Sequence, residues 1–371
     1  MSAQHHIIEE GRLRAAMRLV MQGFGSSVAE AAAVADNLVD ANLTGHDSHG
    51  IGILPRYAEA WLEGSLVANQ HVKTLFEAGS IVRLDGQAGF GQVVGAEAMA
   101  IGIARARSTG CAIVALGNAH HLGRIGAWAE MAVAAGLISL HFVNVIARPI
   151  VAPHGGAKAG FGTNPFTAGV PLKGRPPMIL DFATSTIAQG KTRVAFNKGE
   201  PVPEGCLIDG EGRATTDPRW TVQPPWGALL PFGLHKGSGL AVLCELLGGA
   251  LSAGLVGHRE DGGRQRVLNG MLTIVIDPVA LHGSEGWAAA ADEFVQALLQ
   301  TRPREGFERV QLAGDPERRM RAERQARGLP VDVTTWQQIL DAAASVGVDA
   351  KAVHRQAGLA EAALPGGAGQ A

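Results

Sequence analysis

Asp47, Ser48 and His49 stand together in the hexapeptide GHDSHG, residues 45–50, with His46 beside them. A histidine titrates near neutral pH, so it can give a proton to a carbonyl oxygen or take one from an alcohol. A neighbouring hydroxyl or carboxylate can hold its ring in one tautomer. Two more polar clusters share this character. GNAHHLGRIG, residues 117–126, sets His120 and His121 directly after an apolar run and among glycines. GFGTNPF, residues 160–166, precedes a run that ends in Asp181-Phe182-Ala183-Thr184-Ser185. A single loop histidine is more often a solvated surface residue. His5, His6 and His354 read that way, and His71, His258 and His282 have no supporting context.

Other chemistries find less support. His46 and His49 are three apart, but there is no H-E-x-x-H and no cysteine cluster. No metal site is therefore expected, and a metal-assisted lyase using His46, His49 and His121 stands as a rival from another class. No G-x-S-x-G elbow occurs, which argues against a serine nucleophile. Tyr57 is the only tyrosine and Trp61 follows it by four, so a tyrosine–lysine dehydrogenase is excluded. G-x-G-x-x-G is absent, because GFGTNP fails at Pro165. Gly160, Gly162, Gly237 and Gly239 can still admit a close backbone approach, or simply serve turns and helix packing.

The elements around these clusters follow from periodicity. Leu13, Met17 and Val20 recur at helical spacing, closed by Gly23 and Gly25. Ser27 and Glu30 form a capping box for a second helix with Val34, Leu38 and Ala41 on one face, ending near Leu43 with Gly45 as its stop. A third helix starts at Pro55 and runs to Gly64, which leaves GHDSHG in a loop between helices. From about Ser80 strands appear at SIVRLDG, CAIVALGN, LISLHFVNV, PMILDFATS and MLTIVIDP, with helices over 91–108 and 126–136. HKGSGLAVLCELLGGAL, residues 235–251, reads as a long buried helix. Helices return after Pro278, one from Thr335 to about Val346, and the tail LPGGAGQA reads as disordered. The fold class is α+β.

At 371 residues, 46% hydrophobic and 18% charged, the chain suits two domains with a large core. A net charge of −2 offers no basic stripe for nucleic acid. The longest apolar stretches are interrupted by Glu130, His141 and Glu245, so no membrane span is expected. Cys111, Cys206 and Cys244 are odd in number and far apart, and the N-terminus lacks a signal-peptide core. Both point to the cytoplasm.

Taken in order, ANLTGHDSHGIGILPRY, GNAHHLGRIGAWAE, VAPHGG, FGTNPF, LDFATSTIAQGKTRVA, HKGSGLA and RRMRAERQARGLP resemble the malate/L-lactate dehydrogenase type 2 family, from about residue 7 to 350. The resemblance implies a non-Rossmann, mixed-sheet NAD(P)-binding domain at 79–284. It also implies a helical domain built from both chain ends, 1–78 and 285–360, with 361–371 as the tail. Family members are usually homodimers, with the site near the subunit and domain boundary.

Residue by residue, the resemblance makes His49 the acid/base group, with Ser48 beside it, and His121 a second active-site histidine. It assigns cofactor contacts to His49, Gly123, Arg124, Ile125, Thr163, Asn164, Ile179, Leu180, Asp181, Phe182, Ala183, His235, Lys236, Asn269, Gly314 and Asp315. The family's Pro-Gly-Glu appears here as Ala313-Gly314-Asp315. Many relatives carry an arginine four residues after the loop histidine, where this chain has Ile53. A carboxylate is best matched by a guanidinium. The substrate-binding candidates are therefore Arg124, three residues after His121, with Tyr57 and Arg148, and Arg56 as a further alternative. The expected activity is interconversion of 2-hydroxy and 2-oxo acids with NAD or NADP. Reduction of cyclic imino acids is a rival with the same cofactor.

Overall fold

The computed structural model describes residues 5–257, 267–283 and 286–360; the expected disordered tail and His258 lie outside them. Strand β1 (His5–Ile8) leads into α1 (Glu10–Gly23), capped by the Glu9 carboxylate on the amides of Gly11 and Arg12. α2 (Val28–Leu43) is capped by Ser27, whose hydroxyl accepts from the Glu30 amide at 3.2 Å. Only half of the expected capping box forms. Glu30 turns away to accept from Ser26 and from the Asn69 amide, tying the helix start to a distant loop. Two short 3-10 turns, Asp47–His49 and Ile51–Ile53, precede α3 (Leu54–Leu62), with Pro55 in its first turn.

β2 (Lys73–Ala78), β3 (Ile81–Asp85), α4 (Gly91–Thr109), β4 (Cys111–His120), α5 (Gly126–Ala134), β5 (Ile138–Ile146), β6 (Phe166–Val170) and β7 (Met178–Phe182) follow. Next come α6 (Gln189–Lys198), β8 (Leu207–Ile208), β9 (Ala214–Thr215), α7 (Arg219–Val222) and β10 (Ala228–Leu229). α8 (His235–Cys244), β11 (Leu268–Ile276), α9 (Pro278–His282) and α10 (Gly286–Leu299) complete this part. A seven-stranded mixed sheet has the order β2-β3-β4-β11-β5-β6-β7, and among the described residues only its β3 and β4 pair in parallel. The crossover between them is α4. Its Gly95 and Gly102 let it close on Trp128 and Val114, where a Cβ would come within 2.8 and 2.9 Å. Val82, Leu84, Val94, Leu116, Trp128 and Val143 fill the core between sheet and helices. Each such side chain contributes about 1.5–3 kcal/mol on burial.

The long buried helix expected over 235–251 is corrected in two ways. It is α-helical only to Cys244, and Glu245–Leu251 winds as a π-helix where Gly248 and Gly249 press on β5. It is also not buried all round: Leu243, Leu246 and Leu251 are 48%, 51% and 62% exposed.

α11 (Asp315–Arg327), β12 (Leu329–Asp332), α12 (Val333–Ser345) and α13 (Ala350–Gln356) end the described chain, with β12 paired antiparallel to β1. The fold is thus mixed α+β. One compact unit draws on both chain ends, residues 5–70 and 317–360; the other holds the sheet, within 71–316. The boundaries expected at 78/79 and 284/285 differ from these. β2 pairs with β3 and so belongs to the sheet unit. α10 belongs there too, and Asp292 on it binds Arg175 at 2.6 Å. His354, which the sequence presents as a surface residue, is 1% exposed in the first unit, where it accepts from Trp336 Nε1 at 3.1 Å.

Candidate active site

α2 ends where Gly45 takes φ +84°, a conformation that favours glycine, and the chain turns into the Asp47–His49 segment. The turn is held from both sides. Asn42, 6% exposed, donates through Nδ2 to Asp47 Oδ1 at 2.7 Å and accepts the Ile51 amide on Oδ1 at 2.9 Å. Gly50 is required between them, because a Cβ there would overlap the Asn42 side chain. Arg324 on α11 donates to both Asp47 oxygens, at 2.6 and 3.0 Å, and to the Asn42 carbonyl. Ser48 Oγ lies 3.0 Å from His49 Nδ1, and His49 is half-buried. The Ser48 hydroxyl thus engages the ring at Nδ1.

In the sheet unit, β4 brings His120 and His121 to the carboxyl end of the parallel β3–β4 pair, where ligands collect in open α/β sheets. His120 is 2% exposed inside; His121 is half-buried just past the strand. Its loop is fixed by amides. The Leu122 amide donates to Asn269 Oδ1 at 2.8 Å, and Asn269 Nδ2 donates to the Asn144 carbonyl at 2.8 Å. Asn144 Oδ1 accepts the Gly270 amide, and Glu245 accepts from Asn144 and Asn164 at 3.4 and 2.7 Å. Asn164 and Asn269, both expected as cofactor contacts, are 0% and 3% exposed and spend their side chains on this lattice.

Arg124 and Asp181 come together around the start of α5. Asp181 Oδ2 accepts the Gly126 amide and Oδ1 accepts the Thr167 hydroxyl, both at 2.8 Å. Gly126 is needed because a Cβ there would meet Asp181 Oδ2 at 2.7 Å and overlap an Arg124 nitrogen. Arg124 is 3% exposed and pairs with Glu130 at 2.6 Å. An incoming carboxylate therefore meets a guanidinium that already has a partner. Across the sheet, Thr273, His141, Thr167 and Asp181 are successive register partners. His141 lies between Thr273 and Ser139 hydroxyls at 3.0 and 2.9 Å, and burial lowers its pKa to about 3.

Gly123 takes φ +70° and Ile125 is 4% exposed. The Ile179 amide donates to the Ala313 carbonyl at 3.1 Å, which brings Ile179–Ala183 beside Gly314-Asp315; Asp315 in turn accepts the Leu312 amide at 2.9 Å. The Thr163 carbonyl accepts from Thr184. His235 and Lys236 are exposed in the first turn of α8, next to His154, whose ring centroid is 5.9 Å from that of His235. Tyr57 is 1% exposed in the helical core, and Arg148 stacks on Trp226 at 3.8 Å from the ring centroid. Sequence reading misses Asn42, Arg324, Asn144, Thr167 and Glu245. The spacing of Glu317, Arg321 and Arg324 on one helix face is a signal; which residues they hold is not.

A family model described as malate/L-lactate dehydrogenase matches residues 8–340. Hydroxycarboxylate dehydrogenase B of Escherichia coli (strain K12) is 47% identical over 345 residues, 92% of this chain and 95% of that protein. A solved Escherichia coli structure, described provisionally as a malate/lactate dehydrogenase, superposes with a TM-score of 0.90 at 46% identity, covering 95% of this chain and 98% of its own. Delta1-piperideine-2-carboxylate reductase from Pseudomonas syringae superposes with a TM-score of 0.79 at 31% identity, covering 91% and 99%. With this match running through both units and through the loops of His49 and His121, the chain belongs to the malate/L-lactate dehydrogenase family and is an oxidoreductase.

Proposed function

We propose that the protein interconverts 2-hydroxy and 2-oxo acids with NAD or NADP, and that His49 handles the proton. The observation that carries this is the Ser48–His49 contact at 3.0 Å on a turn locked by Asn42 and Arg324. In reduction, His49 protonates the carbonyl oxygen of the substrate; in oxidation it removes the proton of the hydroxyl. The Ser48 hydroxyl stays on Nδ1 and holds the ring's orientation through the cycle, accepting from the imidazolium and able to donate to or accept from the neutral ring. His121 serves as a second polar contact for the substrate oxygens.

The chain's residues fit a dinucleotide. α8 begins after Gly233 and Leu234, both at positive φ, and presents His235 and Lys236 at an exposed helix N-terminus. First-turn amides and two basic side chains there suit phosphate. Asp181 and the neighbouring Ile179–Ala183 and Gly314-Asp315 segments supply further polar contacts, with Gly123, Arg124, Ile125 and Thr163 around them. When bound, the nicotinamide supplies the hydride. Asn164 and Asn269 shape this region through their lattice.

Reduction of a cyclic imino acid with the same cofactor is the second reading. It is favoured by the likeness to delta1-piperideine-2-carboxylate reductase. We also read the protein as a cytoplasmic homodimer. Its cysteines are all unpaired, and the exposed leucines of the 243–251 stretch suit a second copy.

The test is a panel of 2-oxo acids and cyclic imines, with NADH and NADPH, with and without a chelator. Turnover of 2-oxo acids that survives chelation is expected. Turnover of imines alone moves the assignment to the second reading; loss on chelation with recovery on added metal makes the reduction metal-dependent, and metal-dependent loss of substrate with no cofactor oxidised moves the assignment to a lyase.

A further inference from the structure

We propose that Arg324 is a positioning residue, holding the acid/base loop in its working geometry through Asp47. This rests on the reading of His49 given above. Along one face of α11, four side chains at helical spacing meet the chain from Asp40 to Asp47. Glu317 lies 3.4 Å from His46 Nε2, Met320 packs on Gly45, and Arg321 binds Asp40 at 3.1 Å. Arg324 completes the row with its fork on both oxygens of Asp47 and a further bond to the Asn42 carbonyl. Arg324 is 12% exposed, whereas Asp47 is 52% exposed, so the arginine is the fixed partner and the loop is the part that is held. Asp47 immediately precedes Ser48 and His49. A carboxylate locked by two nitrogens fixes both the position and the twist of the short turn that presents the imidazole.

In this scheme Arg324 acts through Asp47 and makes no contact with the substrate; three of its N–H groups go to Asp47 and the Asn42 carbonyl. Its effect passes through His49. A displacement of about 1 Å at a reacting group can cost about a hundredfold. Lysine cannot reproduce the two-point contact.

The test is a double-mutant cycle on the intact enzyme, with kcat, KM, cofactor Kd and thermal midpoint measured for each variant. Arg324→Ala is expected to lower kcat about 10- to 100-fold, with KM and cofactor Kd changed by less than about threefold. Arg324→Lys should fall between it and the wild type. In the His49→Ala background, Arg324→Ala should add nothing further, because the group it positions is gone. If Arg324→Ala keeps kcat within about twofold, or multiplies the His49→Ala loss in full, the proposal fails while the His49 reading stands. If His49→Ala itself keeps its turnover, the His49 reading fails first. Should Arg324→Ala not fold, Arg324→Lys is judged by the same cycle.

Discussion

Around His49, a guanidinium lies 2.6 and 3.0 Å from the oxygens of a carboxylate that is half open to solvent. Around His121, the neighbouring amide instead reaches the buried side chain of Asn269, which passes the contact on to Asn144 and, through it, to Glu245. Both arrangements hold a histidine loop, by opposite means. The first is ionic, directional and open to screening; pairs of this exposure contribute about 0–1 kcal/mol to stability. The second is mostly neutral and buried, and removal of one member leaves its partners without hydrogen bonds. The difference separates two quantities. The ionic clamp sets the position of a reacting group at little stake to the fold, while the amide lattice is part of the fold.

The largest expected effect falls on rate. His49→Ala should lower kcat by about 100- to 10,000-fold, the usual contribution of a general acid or base, with cofactor Kd nearly unchanged. Steady-state kinetics and cofactor titration check this.

Next in size is a loss of stability on the other side. Asn269→Ala takes this partner from the Leu122 amide and the Asn144 carbonyl, at about 1–3 kcal/mol for each group, and should lower unfolding free energy by about 2–6 kcal/mol in urea. Arg324→Ala should lower it by only about 1 kcal/mol. Equal losses would erase the distinction between clamp and lattice.

Acid should act on the sheet unit through His141. Burial lowers its folded pKa to about 3 from an ordinary value of 6.5. As pH falls below 6.5, the unfolded chain takes up a proton that the folded state refuses. Stability therefore declines from pH 6.5 down to about 3, and this group alone accounts for about 2 kcal/mol between pH 7 and 5. Denaturation of His141→Asn at both pH values should show a slope smaller by that amount.

The smallest effect is that of salt. Screening of the exposed side of the Arg324–Asp47 pair should lower kcat by less than about threefold between low and high ionic strength. Arg324→Ala should remove most of that sensitivity.

Much of this architecture is legible in the residues themselves. α1, α2, α3 and α4 follow from apolar spacing and from stops such as Gly45, and Asp47-Ser48-His49 is visible as a motif. β2 is not, because all six of its residues are exposed and no alternation marks a face. His354 passes for a surface residue because its burial depends on Trp336, in a separate helix. The hexapeptide's own supports are hidden by distance along the chain. Arg324 lies 277 residues from Asp47, and Asn269 lies 147 from Leu122. Local composition can display a histidine in a loop; it cannot display the remote side chain that holds the loop still.

The most direct test of the central claim follows a label. The protein is incubated with a 2-oxo acid and cofactor carrying deuterium at the transferable position, in the presence of chelator, and the product is analysed by mass and NMR. The account predicts a 2-hydroxy acid with one deuterium on its carbinol carbon, formed by the wild type and almost absent with His49→Ala. An unlabelled product, no product from any 2-oxo acid, or undiminished labelling by His49→Ala would contradict it.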